Sequence, residues 1–149
     1  MDKILIVYAS MSGNTEAIAN LIEAGICENG LEVVRKEVIE IVASELLDYE
    51  GILLGAYTWG DGDLPDEFED FYDELDGLDL EGRKFAIFGS GDPSYEHFCG
   101  AVDHLENKMI ERGGQLLLDT LKVELLPEGE EEERCKAFGY LFSELMKIN

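Results

Sequence analysis

Three short segments of this sequence gather residue types that bind small molecules rather than fill a core. The first, Ser10-Met11-Ser12-Gly13-Asn14-Thr15, offers three hydroxyls, one amide side chain and a run of backbone N–H groups where a helix should begin. Helix N-termini present unpaired N–H dipoles, so this is phosphate-binding chemistry. There is no Lys or Arg from Ile4 through Val34, and the Lys of a nucleotide-hydrolysing loop is missing. Neutral donors of this kind suit a phosphate monoester better than a hydrolysable triphosphate. A bare capping turn rich in Ser and Asn is the plainer reading of the same residues.

The second segment is Thr58-Trp59-Gly60-Asp61-Gly62-Asp63-Leu64-Pro65. It places the chain's one tryptophan in a polar, glycine-rich loop, where an indole stacks on a flat ligand or folds back over the sheet end. The third, Gly89-Ser90-Gly91-Asp92-Pro93-Ser94-Tyr95-Glu96-His97-Phe98-Cys99-Gly100, again joins glycine, acid and aromatic residues. Tyr95 could cover the face of a flat ring opposite Trp59. Each loop read alone also fits an ordinary turn; the three together, in this order, are far more specific.

The elements that must position these loops can be read from apolar periodicity. Short Ile/Val-rich runs at Lys3–Ala9, Leu31–Val38, Gly51–Ala56, Lys84–Phe88 and Leu116–Val123 predict five strands, several buried on both faces. Between them lie helical patterns. Ile18, Leu21, Ile22, Gly25 and Ile26 mark the first, stopped by Asn29-Gly30. Phe68, Phe71, Tyr72 and Leu75 mark an acidic one after Pro65, and Phe98, Val102, Leu105 and Met109 another. Phe138, Leu141, Phe142 and Leu145 mark the last, entered through Glu130–Glu133, which suits a helix N-terminus. Residues 39–48 predict a loop and a short helix. Alternating strands and helices imply an α/β fold: a doubly wound parallel sheet between two helical layers, with ligands beyond the strands' carboxyl ends. No repeat, linker or low-complexity tract divides residues 1–149, so one domain is expected.

At this point a resemblance is plain. The segments S-M-S-G-N-T, T-W-G-D-G-D-L-P and G-S-G-D-P-S-Y-E-H-F-C-G are similar to the three cofactor loops of the flavodoxin family, and the similarity runs from the first strand to the last helix. It implies a five-stranded sheet in the order 2-1-3-4-5 and non-covalently bound flavin mononucleotide (FMN). The uninterrupted fifth strand resembles the short-chain branch. By the resemblance, Ser10, Ser12, Asn14 and Thr15 take the phosphate, with backbone groups of Met11 and Gly13. Ser12 stands where the family commonly has Thr, which keeps the hydroxyl and loosens the packing. Trp59 stacks on the inner ring face and Tyr95 on the outer, with Thr58 and Asp61 at the ring's border. Ser90, Gly91, Asp92 and Cys99 give backbone contacts to the pyrimidine edge, with His97 close by. The Gly60 carbonyl turns toward flavin N5 and stabilises the neutral semiquinone; glycine permits that turn because it tolerates positive φ.

Charge is the most unusual global property. Thirty-four acids against eleven bases give a net charge of −23, and Glu37 to Glu81 holds 16 of those acids with no Lys or Arg. Such a chain repels nucleic acid and anionic membranes, and its acidic segment suits steering toward basic-surfaced redox proteins, met transiently. Acids around the ring also disfavour the negative charge of full reduction, which implies a low-potential one-electron carrier. Three cysteines at wide spacing favour a reducing compartment over a disulfide framework or zinc site. The N-terminus does not read as a signal peptide and no apolar stretch reads as a membrane span, so a cytoplasmic monomer is expected. Cys27 and Cys135 are expected to pack, and His104 to face solvent.

Three rival readings are weaker. A flavin reductase with its own nicotinamide site would need a second dinucleotide fingerprint, which the sequence lacks. A phosphorylated receiver domain would need an acid where the third strand ends at Ala56-Tyr57-Thr58. A flavin-storing or redox-gated binding module needs a partner assay to separate it from a carrier.

Overall fold

The computed structural model describes residues 3–10, 13–58, 62–91, 99–124 and 126–147. Strands β1 (Lys3–Ala9), β2 (Glu32–Glu37), β3 (Gly51–Tyr57), β4 (Lys84–Gly91), β5 (Gln115–Leu116) and β6 (Leu121–Glu124) form one parallel sheet. Helices α1 (Asn14–Glu28), α2 (Asp66–Glu74), α3 (Gly100–Glu111) and α4 (Glu130–Met146) cover it. The order is β2-β1-β3-β4-β5, with β6 also on β4. This is the expected 2-1-3-4-5 doubly wound sheet. Among the described residues, no helix is long and apolar enough to cross a membrane.

Period-two alternation along the strands divides the core into two layers. Leu5, Val7, Ile52, Leu54, Phe85 and Ile87 point to one side, against Phe68, Phe71, Val102, Leu105 and Met109 of α2 and α3. Ile4, Ile6, Leu53, Ala86 and Phe88 point to the other, against Ile18, Ile22 and Ile26 of α1 and Phe142 and Met146 of α4. Residues 39–48 fall mainly into two short 3₁₀ turns, Val38–Glu40 and Ala43–Asp48.

Two expectations need correction. The fifth strand is not continuous over 116–123. Leu116 pairs with Phe85 and Leu121 with Phe88, so five residue steps on one side face three on the other. Leu117 and Leu118, adjacent in sequence, both pack into the α1/α4 layer. A regular pleat sends neighbours to opposite faces, so this pair forces the chain out of the ladder. The fifth position is thus filled by β5 and then β6, with no long insertion between them.

The buried stripe of α4 is also rotated from the one expected. Leu141 is exposed, whereas Cys135, Gly139, Phe142, Ser143 and Met146 are buried. The reason is close helix approach. A Cβ on Gly139 would lie 2.1 Å from the Ile22 carbonyl oxygen, and one on Gly25 2.0 Å from that of Lys136. Gly25 and Gly139 therefore mark where α1 and α4 approach most closely, while the expected Phe142 stays buried beside them.

Candidate functional site

Sheet register brings the loops together. Ala9 pairs with Ala56, and Ala56 with Gly89, so β1, β3 and β4 end side by side. The loops after them must share one rim of the sheet, where ligands bind in open α/β folds.

In the first loop, Gly13 is the N-cap of α1 with φ of 90°, a left-handed conformation that favours glycine. It brings no side chain to the helix end. Ser10 Oγ instead accepts the N–H groups of Gly13 at 3.1 Å and Glu16 at 3.3 Å, tying the end of β1 to the helix start. The Glu16 carboxylate is turned aside by the Tyr8 hydroxyl, which donates to it at 3.0 Å. Burial and that bond push the Tyr8 hydroxyl up to about 12. Asn14 and Thr15 open the helix. Thr15 is fully buried, and its Oγ1 lies 2.8 Å from Ser90 Oγ. Met11 and Ser12 lie outside the described residues.

The second and third loops are joined by a similar bond. Thr58, just past β3, accepts the N–H of Ala101 through Oγ1 at 3.3 Å. That N–H belongs to the first turn of α3, whose N-cap Cys99 makes no side-chain cap of its own. Cys99 carries φ of 54°, the one positive value on a non-glycine among the described residues. Its thiol is buried under β4 and β6, 3.9 Å from the Gly89 and Val123 carbonyl oxygens, and burial raises its pKa to about 11. A thiol so protonated is a packing group, not a nucleophile. Gly91 closes against it: a Cβ there would lie 2.9 Å from both Cys99 N and Sγ. Backbone thus approaches backbone where the third loop leaves and returns. Trp59, Gly60, Asp61, Asp92, Tyr95 and His97 lie outside the described residues.

These features fit a bound phosphate. Loop one supplies hydroxyls and a helix N-terminus free of basic competition. Gly91 packs directly against Cys99, so any side chain there would push the returning chain away from β4. The described residues therefore suit the phosphate end of FMN.

Beside loop two, an open groove of about 520 Å³ is lined by Asp63, Asp66, Glu69, Asp73, Tyr72 and His104. His104 is exposed, as expected. Lys108 of α3 is bonded to Asp76, just past α2, with its ammonium 4.6 Å from the Tyr72 ring. The Asp76 bond holds its pKa above the usual lysine value. Cys135 is buried as expected, but Cys27 is exposed: it follows Ile26 on the solvent side of α1.

Two contacts were missed in the sequence. The Ser90 side chain partners Thr15, and the Thr58 hydroxyl caps α3. A signal for the first was present: Thr15 falls on the buried stripe with Ile18 and Ile22, and Ser90 interrupts an apolar strand. Buried hydroxyls need partners.

Comparison with known proteins agrees with this geometry. The family model described as Flavodoxin matches residues 6–138. "Probable flavodoxin 2" of Bacillus subtilis (strain 168) is 54% identical over 144 residues, covering 96% of this chain and 95% of that protein. The solved structure of oxidised Flavodoxin 2 from Bacillus cereus superposes with a TM-score of 0.93 at 53% identity, covering 96% of this chain and 99% of that one. Oxidised Flavodoxin 1 from the same organism gives 0.94 at 48% identity, covering 99% and 100%.

Proposed function

The chain belongs to the flavodoxin family, whose members are FMN-binding electron carriers that pass electrons to redox partners rather than turn over substrates; on that premise, we propose that it holds one FMN across its three loops as a low-potential, one-electron shuttle. The observation that carries this reading is the convergence of β1, β3 and β4 at one rim, with loop tied to loop by Thr15–Ser90 and Thr58–Ala101.

Bound FMN supplies the electron chemistry; the protein binds it, shields it and sets its potentials. Ser10, Ser12, Asn14 and Thr15, with the backbone of Met11 and Gly13, hold the phosphate as neutral donors at the α1 N-terminus. Trp59 and Tyr95 flank the ring and exclude water from its faces. Thr58 and Asp61 border it. Ser90, Gly91, Asp92 and Cys99 meet the pyrimidine edge through their main chains, and His97 stands near. Gly60 would turn its carbonyl toward a proton on N5, a change that glycine makes without strain.

Charge supports the rest of the reading. The acidic groove on α2 would meet basic-surfaced reductases and acceptors, transiently, with association slowed by salt. A one-domain cytoplasmic monomer suits such encounters. Fluorescence titration of FMN with the cofactor-free chain tests the reading: quenching that saturates at one flavin per chain is expected, and no quenching would overturn it.

A further inference from the structure

Resting on the reading that loop one takes the flavin phosphate, we propose that the Ser90 hydroxyl is a positioning residue, which donates to Thr15 Oγ1 and so aims the Thr15 proton at the phosphate. Thr15 and Ser90 lie 75 positions apart, are 0% and 2% exposed, and bring their oxygens to 2.8 Å. Only one of two paired hydroxyls can donate across that gap, and either can do so. A fully ionised phosphate accepts and never donates. Its arrival therefore fixes the order: Ser90 donates to Thr15, and Thr15 donates to phosphate. Each bond in such a chain polarises the next, in a buried setting where water does not compete.

Ser90 is well placed for this role. Its backbone is held in β4 between Tyr57 of β3 and Val123 of β6, and its side chain is buried against Thr15. It also stands one residue before Gly91, where the third loop departs. Occupation of the phosphate site is thereby communicated to the strand that carries the ring loop. Ser10, by contrast, already accepts the N–H groups of Gly13 and of Glu16 in the first turn of α1.

The test compares FMN with riboflavin, which has the ring but no phosphate, by fluorescence quenching with the cofactor-free protein. Ser90→Ala should weaken FMN binding roughly tenfold more than it weakens riboflavin binding. Ser90→Cys keeps the shape but offers a poor donor, so it should behave like Ser90→Ala toward FMN. Adding Ser90→Ala to Thr15→Val should cost little beyond Thr15→Val alone, since both remove one chain of bonds. The rise in melting temperature that inorganic phosphate gives the cofactor-free protein should shrink in both Ser90 variants. Equal losses for FMN and riboflavin, or full FMN affinity in Ser90→Cys, would overturn the proposal. Failure of the unaltered protein to bind FMN would instead remove the reading beneath it, and the inference with it.

Discussion

Thr58, at the end of β3, accepts the backbone N–H of Ala101, in the first turn of α3, at 3.3 Å. A side chain from one loop thus caps the helix that follows another. Cys99 occupies the N-cap position but, with φ of 54°, makes no side-chain cap. The end of β3 and the start of α3 are therefore fixed to each other, not merely to the sheet.

Thr58→Val keeps the volume and removes the acceptor. It should lower the unfolding free energy of the cofactor-free protein by about 1 kcal/mol, the usual worth of an N-terminal cap. FMN affinity should fall with it. Urea titration and flavin quenching measure the two effects, and an unchanged urea midpoint would mean that the Ala101 N–H finds another partner.

Gly91→Ala would place a methyl 2.9 Å from Cys99 N, where a main-chain atom cannot swing away. The third loop must open, so FMN binding should weaken by more than tenfold, about 1.4 kcal/mol or above. Gly139→Ala is the contrast. Its Cβ would strike the Ile22 carbonyl on the far helical layer, so it should lower stability while sparing the affinity of the molecules that remain folded. Similar affinity losses for both would contradict a local role for Gly91.

How far the sequence reveals this arrangement depends on the kind of signal. The helix and strand order is legible because apolar periodicity reports directly on burial, and β1 with its unbroken apolar run is the clearest case. The split of β5 from β6 is not, because Leu117 and Leu118 look like strand residues until both are seen on one face. The α4 stripe misleads for the opposite reason: Gly139 and Ser143 face α1 because helix backbones approach closely there, which apolarity alone does not report. In the candidate site, residue types mark out the loops well. The side-chain bonds between loops are hidden, since they join residues 75 and 43 positions apart.

The thiols and tyrosines give a pH prediction. Burial raises Cys99 and Cys135 to about 11, and burial with the Glu16 bond raises Tyr8 to about 12, above their ordinary values of 9.0 and 10.0. Above about pH 9 the unfolded chain releases protons that the fold retains, so stability is fully present below that pH and is lost as pH rises toward 12. Thiol titration at pH 8 should therefore show one fast group, the exposed Cys27, with the other two reacting only on unfolding. Three fast thiols would contradict the burial of Cys99 and Cys135.

The acids should set the lower potential. A carboxylate about 10 Å from the flavin opposes its negative charge by roughly 0.4–1.7 kcal/mol, or roughly 20–70 mV in a one-electron couple. Changing Asp61, Asp63 and Asp92 to Asn, singly and together, should raise the second reduction potential in steps of that order. Spectroelectrochemical titration reads the shift, and potentials that stay put would remove charge as the controlling factor.

The most direct test of the whole account is an anaerobic reductive titration of the FMN-loaded protein, followed by visible absorption. One-electron carriage predicts a long-wavelength band of the half-reduced flavin that grows and then fades, and that is diminished in Gly60→Val. Direct bleaching with no such band would contradict it and point to two-electron chemistry instead.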